Sequence, residues 1–290
     1  MVLSFLKGLR KESAAPAGRA APHLLTTEQR AQWERDGYLV LQGAVSAHER
    51  AVVLGEVDRN WREAKGNDHV IDVLSGPLSG QSFKMDDAPI EARSEVYKLN
   101  NTFARSAAVR GVALNPRIHD ALADLLQGEP LICNSLNFER GSQQPFHLDT
   151  WYMPPPVESK MVAAIIALED IGPLAGPFTY YPGSHKIKPY RFSNGALNII
   201  DAEAHLCNDY LKQEIEARGL ESRTLSCKAG DVFLWHDNLL HGGLAIKDMT
   251  KTRRSMVVHY WRREDLPGSE VRGASGGYYL GRTLRGEITF

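Results

Sequence analysis

From Leu131 to Trp261 the chain consists of short β-prone segments separated by turns rich in glycine, proline and asparagine. These segments span residues 131–138, 146–152, 162–168, 177–181, 223–227, 231–235, 243–246 and 255–261. Many short strands joined by such turns are typical of a β-barrel or a double-sheet jelly roll. We therefore predict a mainly β fold with flanking helices, whose core covers about residues 131–262.

The region before this core predicts mainly helices, and we assign residues 27–128 to a helical cover. Thr27–Asp36 is predicted to form a short helix. Ser46 and Glu49 form a Ser-x-x-Glu capping box, which indicates the start of a second helix, and Asn115-Pro116 is predicted to begin another.

Two stretches interrupt this pattern. Residues 66–95 are rich in Gly, Asp, Ser and Pro and predict a long segment with little regular structure, either an active-site lid or a plain surface loop. Residues 186–219 form an insertion, predicted to be helical from Ala202 to Arg218, that could wall a substrate pocket. We expect residues 24–290 to form a single domain.

Composition limits the partners and the compartment. The 290 residues carry a net charge of -1, so there is no basic field for nucleic acid. No apolar run approaches the roughly 20 residues of a membrane helix, so no stable membrane insertion is expected. Three cysteines without a Cys-x-x-Cys pair favour a reducing, cytoplasmic location. Residues 1–23 are expected to be flexible, with a short amphipathic helix at a membrane or lid as the alternative.

His147 and Asp149 are candidate metal ligands within the predicted strand over residues 144–152. In a strand, residues two apart point to the same face, so the imidazole and the carboxylate would project together. Two histidines and one carboxylate, with the other positions open, form the pattern of non-haem Fe(II) oxygenases. His241, followed by two glycines, is the candidate for the third ligand, and His236 is the alternative, to which we assign a structural role.

An oxygenase of this kind also needs electrons. If they come from a dicarboxylic 2-oxoacid, its far carboxylate requires a planar, bidentate cation in the pocket. Arg253 and Arg254 follow the candidate histidine, but on a strand they point to opposite faces, and hydropathy does not decide which one faces inward.

From the residues alone, two other kinds of protein remain alternatives. One is a cupin-like binding module, which would not need the arginine. The other is a structural zinc site, which usually has four protein ligands, often cysteines.

With these motifs in order, the chain resembles the phytanoyl-CoA dioxygenase family of Fe(II)/2-oxoglutarate oxygenases over roughly Thr27 to Trp261. The matching residues are His147-x-Asp149, the Tyr180-Tyr-Pro-Gly-Ser-His185 turn, Gly230-Asp231, His241-Gly-Gly and Arg253-Arg-Ser with His259-Tyr260. A lone His-x-Asp is a weak signal, whereas the order and spacing of all these elements are specific. The resemblance implies a double-stranded β-helix core, of the jelly-roll or cupin-like kind, with helices on one side.

The resemblance also implies roles for individual residues. His147, Asp149 and His241 would bind iron. Aligning the family's final strand on His259-Tyr260 makes Arg253 the arginine that binds 2-oxoglutarate. Because related halogenases lack the carboxylate, the presence of Asp149 implies hydroxylation or another oxidation.

Three further positions follow from the same comparison of motifs. Asn137 matches a position that contacts 2-oxoglutarate in relatives, with a β-turn role as the alternative. Trp151 is placed beside the cofactor at the border of the pocket, with core packing as the alternative. The family often has a hydroxyl residue two places after the distal histidine, but Gly243 stands there, so one hydrogen bond to the cosubstrate lacks a donor.

The resulting hypothesis is an Fe(II)- and 2-oxoglutarate-dependent dioxygenase. It would use O2 to hydroxylate a small organic or lipid-like substrate and would release succinate and CO2. A homodimer is a further expectation, since the C-terminal residues 276–281 could form either an edge strand or a dimer contact.

Overall fold

The structure is a computed structural model that describes residues 25–282 and Leu284. The prediction made for residues 1–23 lies outside this part of the chain. The described helices are α1 (Thr27–Asp36), α2 (Ala47–Arg62), α3 (Ala107–Ala113), α4 (Pro116–Leu126) and α5 (Ala204–Arg218). None of these helices is both long and apolar enough to cross a membrane.

Thirteen strands are present within the described residues. Those in the first half of the chain are β1 (Tyr38–Leu41), β2 (Val70–Ser75), β3 (Ser82–Lys84), β4 (Val96–Asn100), β5 (Pro130–Phe138), β6 (Met161–Ala167) and β7 (Phe178–Tyr180). The others are β8 (Arg223–Thr224), β9 (Val232–His236), β10 (His241–Gly243), β11 (Ser255–Arg262), β12 (Val271–Ala274) and β13 (Gly277–Leu280). The predicted helices at Thr27, Ser46 and Pro116 and most of the predicted strands are confirmed.

The strands form two sheets that face each other. The large sheet has the order β1-β9-β6-β11-β5-β4-β2-β3, with β13 pairing in parallel with β5, and the small sheet has the order β10-β7-β8. All pairs other than that parallel one are antiparallel. This is the predicted jelly-roll core with flanking helices, and it leaves an interior between the two sheets.

Both faces of the large sheet are buried. Along β6, Val162, Ala164 and Ile166 pack toward the helices α2, α3 and α4, whereas Ala163 and Ile165 pack in the interior against the small sheet. The same alternation continues along β9 and β11. A strand covered on both faces has a nearly continuous apolar sequence, so its inward face cannot be read from hydropathy.

Local sequence signals set the helix boundaries. The Thr26 side chain caps α1, and the Ser46 and Glu49 side chains form the predicted capping box of α2. The Asn115 side chain accepts a hydrogen bond from the backbone N–H of Ile118, and Pro116 occupies the first turn of α4, where its missing N–H costs nothing.

Two predictions about segments were wrong. Residues 66–95 are not an irregular loop: β2 and β3 lie in this segment and join β4 to extend the large sheet, so the cover is not purely helical. Residues 146–152 are not a strand, because only His147 makes a bridge and residues Asp149–Trp151 form a 3₁₀ turn. The bounds of the strand predicted at residues 243–246 were also wrong, because β10 begins at His241 and ends at Gly243, so the two overlap at Gly243 alone.

The insertion at residues 186–219 contains α5, as predicted. Through Cys207 and Leu211, α5 packs on Leu148, Trp151 and Leu240. Two of these residues, Leu148 and Leu240, are next to the candidate histidine ligands in the chain. The insertion therefore supports the outer side of the candidate site.

Candidate active site

Two histidines from separate segments meet in the interior. His147 and His241 form an isolated antiparallel bridge, in which each backbone N–H donates to the carbonyl oxygen of the other residue, at 2.8 Å and 3.1 Å. The centroids of the two imidazole rings are 4.3 Å apart. Backbone pairing therefore sets the separation of the two side chains.

Each imidazole is oriented by the carbonyl oxygen two residues before it. The Nδ1 atom of His147 lies 2.8 Å from the carbonyl oxygen of Pro145, and Nδ1 of His241 lies 2.9 Å from that of Leu239. Because a carbonyl oxygen only accepts, Nδ1 carries the proton in both rings and Nε2 keeps its lone pair. This tautomer binds a metal through Nε2.

Asp149 adds a buried carboxylate to the same space. The indole Nε1–H of Trp235 donates to Asp149 Oδ2 at 2.9 Å, while Oδ1 lies 3.6 Å from Nε2 of His241. Since Oδ1 and this Nε2 both offer lone pairs, a cation is the group that fits between them. The ligand atoms of His147, Asp149 and His241 all lie within 4.8 Å of one another, which is the three-ligand set predicted from the sequence.

The protonation states suit a metal. Burial, together with the neighbouring His241, lowers the pKa of His147 to about 3. Burial also lowers the pKa of His241. Burial alone would raise the pKa of Asp149, but His241 and His259 bring its net pKa below the ordinary value. At neutral pH the site therefore presents two neutral imidazoles and one carboxylate, the forms that bind metal ions.

These three residues open onto a cavity between the sheets, and Arg253 lines the same cavity. The Arg253 side chain is 2% exposed and its guanidinium lies 5.7 Å from the ring centroid of Phe138. Within residues 25–282 it forms no ion pair with an acidic side chain, and its Nε lacks a hydrogen-bond partner. Burial lowers its pKa to about 10, which still leaves it charged at neutral pH. A buried cation of this kind fits a carboxylate ligand.

The structure does not bring Asn137 or Trp151 to this cavity. On β5, Leu136 and Phe138 face the interior, so Asn137 lies on the opposite face, where its amide donates to the Thr102 hydroxyl at 2.8 Å. Trp151 is buried in the cluster under α5. The prediction that these two residues contact 2-oxoglutarate gains no support from their positions.

Gly243 and Ser142 are in close contact near the cavity. A Cβ atom added at Gly243 would lie 2.9 Å from the Ser142 hydroxyl oxygen and 2.8 Å from the backbone nitrogen of Gln143. The space that a hydroxyl side chain would take at residue 243 is therefore held by the Ser142 hydroxyl. Ser142 also lines the cavity, although it was not among the predicted site residues.

Sequence reasoning also missed Trp235 and His259, which contact Asp149. The strand period could have indicated His259, because it lies on β11 with the same parity as Arg253 and Val257, all of which line the cavity. His236, the alternative third ligand, lies outside the lining residues, with its ring centroid 5.3 Å from that of His185.

The family model for phytanoyl-CoA dioxygenase matches residues 33–255 of this chain. This chain belongs to the phytanoyl-CoA dioxygenase family. Among curated relatives, it is 29% identical to the ectoine dioxygenase of Stutzerimonas stutzeri (strain A1501), over 81% of the chain and 76% of the relative. It is 23% identical to the peroxisomal phytanoyl-CoA dioxygenase of Mus musculus, over 87% and 73% of the two chains.

Solved structures agree on the fold of this dioxygenase. EctD from S. alaskensis, solved with 2-oxoglutarate and 5-hydroxyectoine, superposes with a TM-score of 0.60 at 19% identity, covering 86% of this chain and 80% of EctD. The carbocyclase SnoK from nogalamycin biosynthesis gives a TM-score of 0.61 at 17% identity, covering 82% and 85% of the two chains.

Family membership and the three-ligand set together define the reaction class. The dioxygenase uses non-haem Fe(II), 2-oxoglutarate and O2 and acts on a small-molecule substrate. The non-catalytic cupin-like module is not supported.

Proposed function

We propose that His147, Asp149 and His241 hold the iron of this dioxygenase and that Arg253 binds the far carboxylate of 2-oxoglutarate. One observation carries the proposal: a buried guanidinium, with no acidic partner among the described residues, lines the same cavity as three side chains that could hold a metal ion. A dicarboxylate that reaches from the metal to Arg253 would satisfy both groups.

When bound, Fe(II) supplies the redox chemistry that couples oxidation of 2-oxoglutarate to succinate and CO2 with hydroxylation of the substrate. The chain supplies geometry. His147 and His241 each keep one lone pair free, and Asp149 offers one oxygen while Trp235 engages the other. Three protein ligands leave positions for the cosubstrate and O2.

Ser142 supplies a second contact to the cosubstrate in this proposal. The family's hydroxyl position is Gly243, and the Ser142 hydroxyl lies where that side chain would be. A hydroxyl can donate a hydrogen bond to a carboxylate beside the bidentate contact from Arg253.

The proposed substrate is a small organic molecule that enters an uncharged part of the cavity. Apart from the metal ligands, His259 and Arg253, the cavity is lined by side chains that carry no charge, namely Leu136, Phe138, Ser142, Gln144, Tyr152, Met153, Ile165, Phe178, Trp235 and Val257. Relatives are named for ectoine and for phytanoyl-CoA, so their names do not select one substrate for this chain.

The decisive experiment is spectroscopic and kinetic. Anaerobic addition of Fe(II) and 2-oxoglutarate should give a metal-to-ligand charge-transfer band, and Arg253→Ala should lose it at a 2-oxoglutarate concentration that saturates the wild type. A substrate screen should then reveal compounds that stimulate succinate release. Succinate release at the wild-type rate in Asp149→Ala would refute the assignment of the metal ligands.

We also propose a single domain over the described residues, a cytoplasmic location and a homodimer. The location is supported by three buried free cysteines, Cys133, Cys207 and Cys227. Sedimentation of the purified protein tests the dimer. Strand β13 pairs with β12 and β5 of the same chain, so its place in the sheet does not require a contact with a partner subunit.

A further inference from the structure

His259 is a buried histidine that the reaction described above does not use. It lies on β11, is 2% exposed and lines the cavity beside Asp149. Its Nε2 atom is 3.4 Å from Asp149 Oδ1, the same oxygen that faces His241. A side chain at this distance from a metal-binding oxygen can control how that oxygen is presented.

The tautomer of His259 is set from the neighbouring strand. Asn134 on β5 is the cross-strand neighbour of His259, and its Nδ2 lies 3.2 Å from His259 Nδ1. An amide NH₂ group only donates, so Nδ1 of His259 accepts and the proton of the neutral ring is on Nε2. The Nε2 atom that carries this proton is the one that lies 3.4 Å from Asp149 Oδ1. Asn134 is 5% exposed, so the contact is shielded from water.

Asp149 therefore has an N–H group beside each carboxylate oxygen: the Trp235 indole donates to Oδ2 at 2.9 Å, and His259 Nε2 lies 3.4 Å from Oδ1. Rotation of the carboxylate about its Cβ–Cγ bond would break both contacts. With both contacts in place, the orientation of the carboxylate is restrained, and it stays beside the two ligand histidines, with the ligand atoms within 4.8 Å of one another.

We propose that His259, oriented by Asn134, is a positioning residue that holds Asp149 in its metal-binding orientation. This inference rests on the proposed role of Asp149 as a metal ligand. It predicts that His259 contributes to metal affinity without being a ligand, because the group of ligand atoms that lie within 4.8 Å of one another comprises His147, Asp149 and His241 and does not include His259.

The test measures binding of Mn(II), a redox-stable stand-in for Fe(II), by the electron paramagnetic resonance signal of the free ion. His259→Ala should weaken Mn(II) binding by about 10- to 100-fold, the usual effect of removing a partner of a metal ligand. His259→Gln should restore much of the loss, because an amide N–H can still donate to Asp149. The matched control is His236→Ala, which removes a histidine outside the cavity and should leave Mn(II) binding unchanged.

A double-mutant cycle tests the link to Asn134. Asn134→Ala should weaken Mn(II) binding less than His259→Ala does, and it should add little once His259 is alanine, because the two residues act in series. Wild-type Mn(II) affinity in His259→Ala would overturn the proposal. Additive losses of Mn(II) affinity in the double variant would also overturn it. So would the combination of wild-type Mn(II) affinity in Asn134→Ala with a His259→Gln variant that binds Mn(II) as weakly as His259→Ala does.

His147→Ala separates this inference from the proposed function. If His147→Ala abolishes Mn(II) binding while His259→Ala leaves it intact, the triad stands and the positioning role fails. If His147→Ala binds Mn(II) like the wild type, the metal site itself is misassigned.

Discussion

At the scale of single residues, burial determines which side chains can do chemistry. Arg253 and Arg254 are adjacent and chemically identical, yet only Arg253 lines the cavity. The backbone N–H of Arg254 donates to the Glu169 carboxylate at 2.8 Å, and its side chain is half-buried outside the cavity. A single step along the chain thus separates an arginine that lines the cavity from one that does not.

Arg253→Lys should raise the KM for 2-oxoglutarate far more than it lowers kcat. Lysine keeps the charge but loses the bidentate geometry, and a lost hydrogen bond to a charged group costs about 1.5–3 kcal/mol, or roughly 10- to 100-fold. Steady-state kinetics with varied 2-oxoglutarate measures this. Arg254→Lys is the matched control and should behave like the wild type. Equal effects of the two substitutions would contradict the assignment.

Ser142→Ala should raise the KM for 2-oxoglutarate by roughly 10-fold, since it removes a single hydrogen bond to a charged carboxylate, worth about 1.5 kcal/mol at the low end of the range for such bonds. The same kinetic assay measures it. Ser269→Ala, at an exposed serine, serves as the control. An unchanged KM in Ser142→Ala would mean that the hydroxyl next to Gly243 does not contact the cosubstrate.

At the scale of secondary structure elements, the insertion has a structural role in the site. Helix α5 covers the outer side of the loop that carries His147 and Asp149, since Leu211 belongs to the same buried apolar cluster as Leu148 and Trp151. The sequence predicted α5 and its place between strands. Its packing partners could not be predicted, because they come from segments distant in the chain.

Leu211→Ala should lower the free energy of unfolding by about 2–5 kcal/mol, because a buried leucine loses its contacts and leaves a cavity. Leu206→Ala on the same helix is the matched control, since Leu206 is 47% exposed and should cost little. Urea denaturation of both variants measures the difference. Similar losses in the two variants would show that α5 is not docked as described.

At the scale of the whole molecule, one large sheet separates two environments. Helices α2, α3 and α4 cover one face, while the other face and the small sheet enclose the site. The fold also partly buries titratable groups outside the cavity, such as His185, whose ring centroid lies 5.3 Å from that of His236. The stability of the metal-free protein should therefore depend on pH.

Burial, with His236 and Lys186 nearby, lowers the pKa of His185 to about 4, whereas an unfolded histidine titrates near 6.5. Between these values the unfolded chain binds more protons, so this group should lower stability as the pH falls from about 6.5 to about 4. Urea midpoints of the chelator-treated protein at pH 7 and pH 4.5 measure the effect. His185→Gln should show a smaller fall, and an identical fall would contradict the role of His185.

Much of this molecule follows from local sequence. Capping residues at Thr26, Ser46 and Asn115 determine where helices begin, since the cap and the helix are a few residues apart. The order of His147, Asp149 and His241 indicated the metal site, although the reasoning from strand alternation was wrong. The three side chains converge because the backbone of His147 pairs with that of His241, and a 3₁₀ turn places Asp149 beside them.

What the sequence by itself determined is helices α1, α2, α4 and α5, most strands of the core, the family and the kind of ligands at the site. Only the tertiary structure decided which face of each buried strand looks inward. As a result, Arg253 lines the cavity and Arg254 does not, and Asn137 lies on the opposite face of its strand. His259 and Ser142 also line the cavity. The physical reason is that both faces of the large sheet are apolar and covered, so the direction of each side chain depends on pairing between strands distant in sequence.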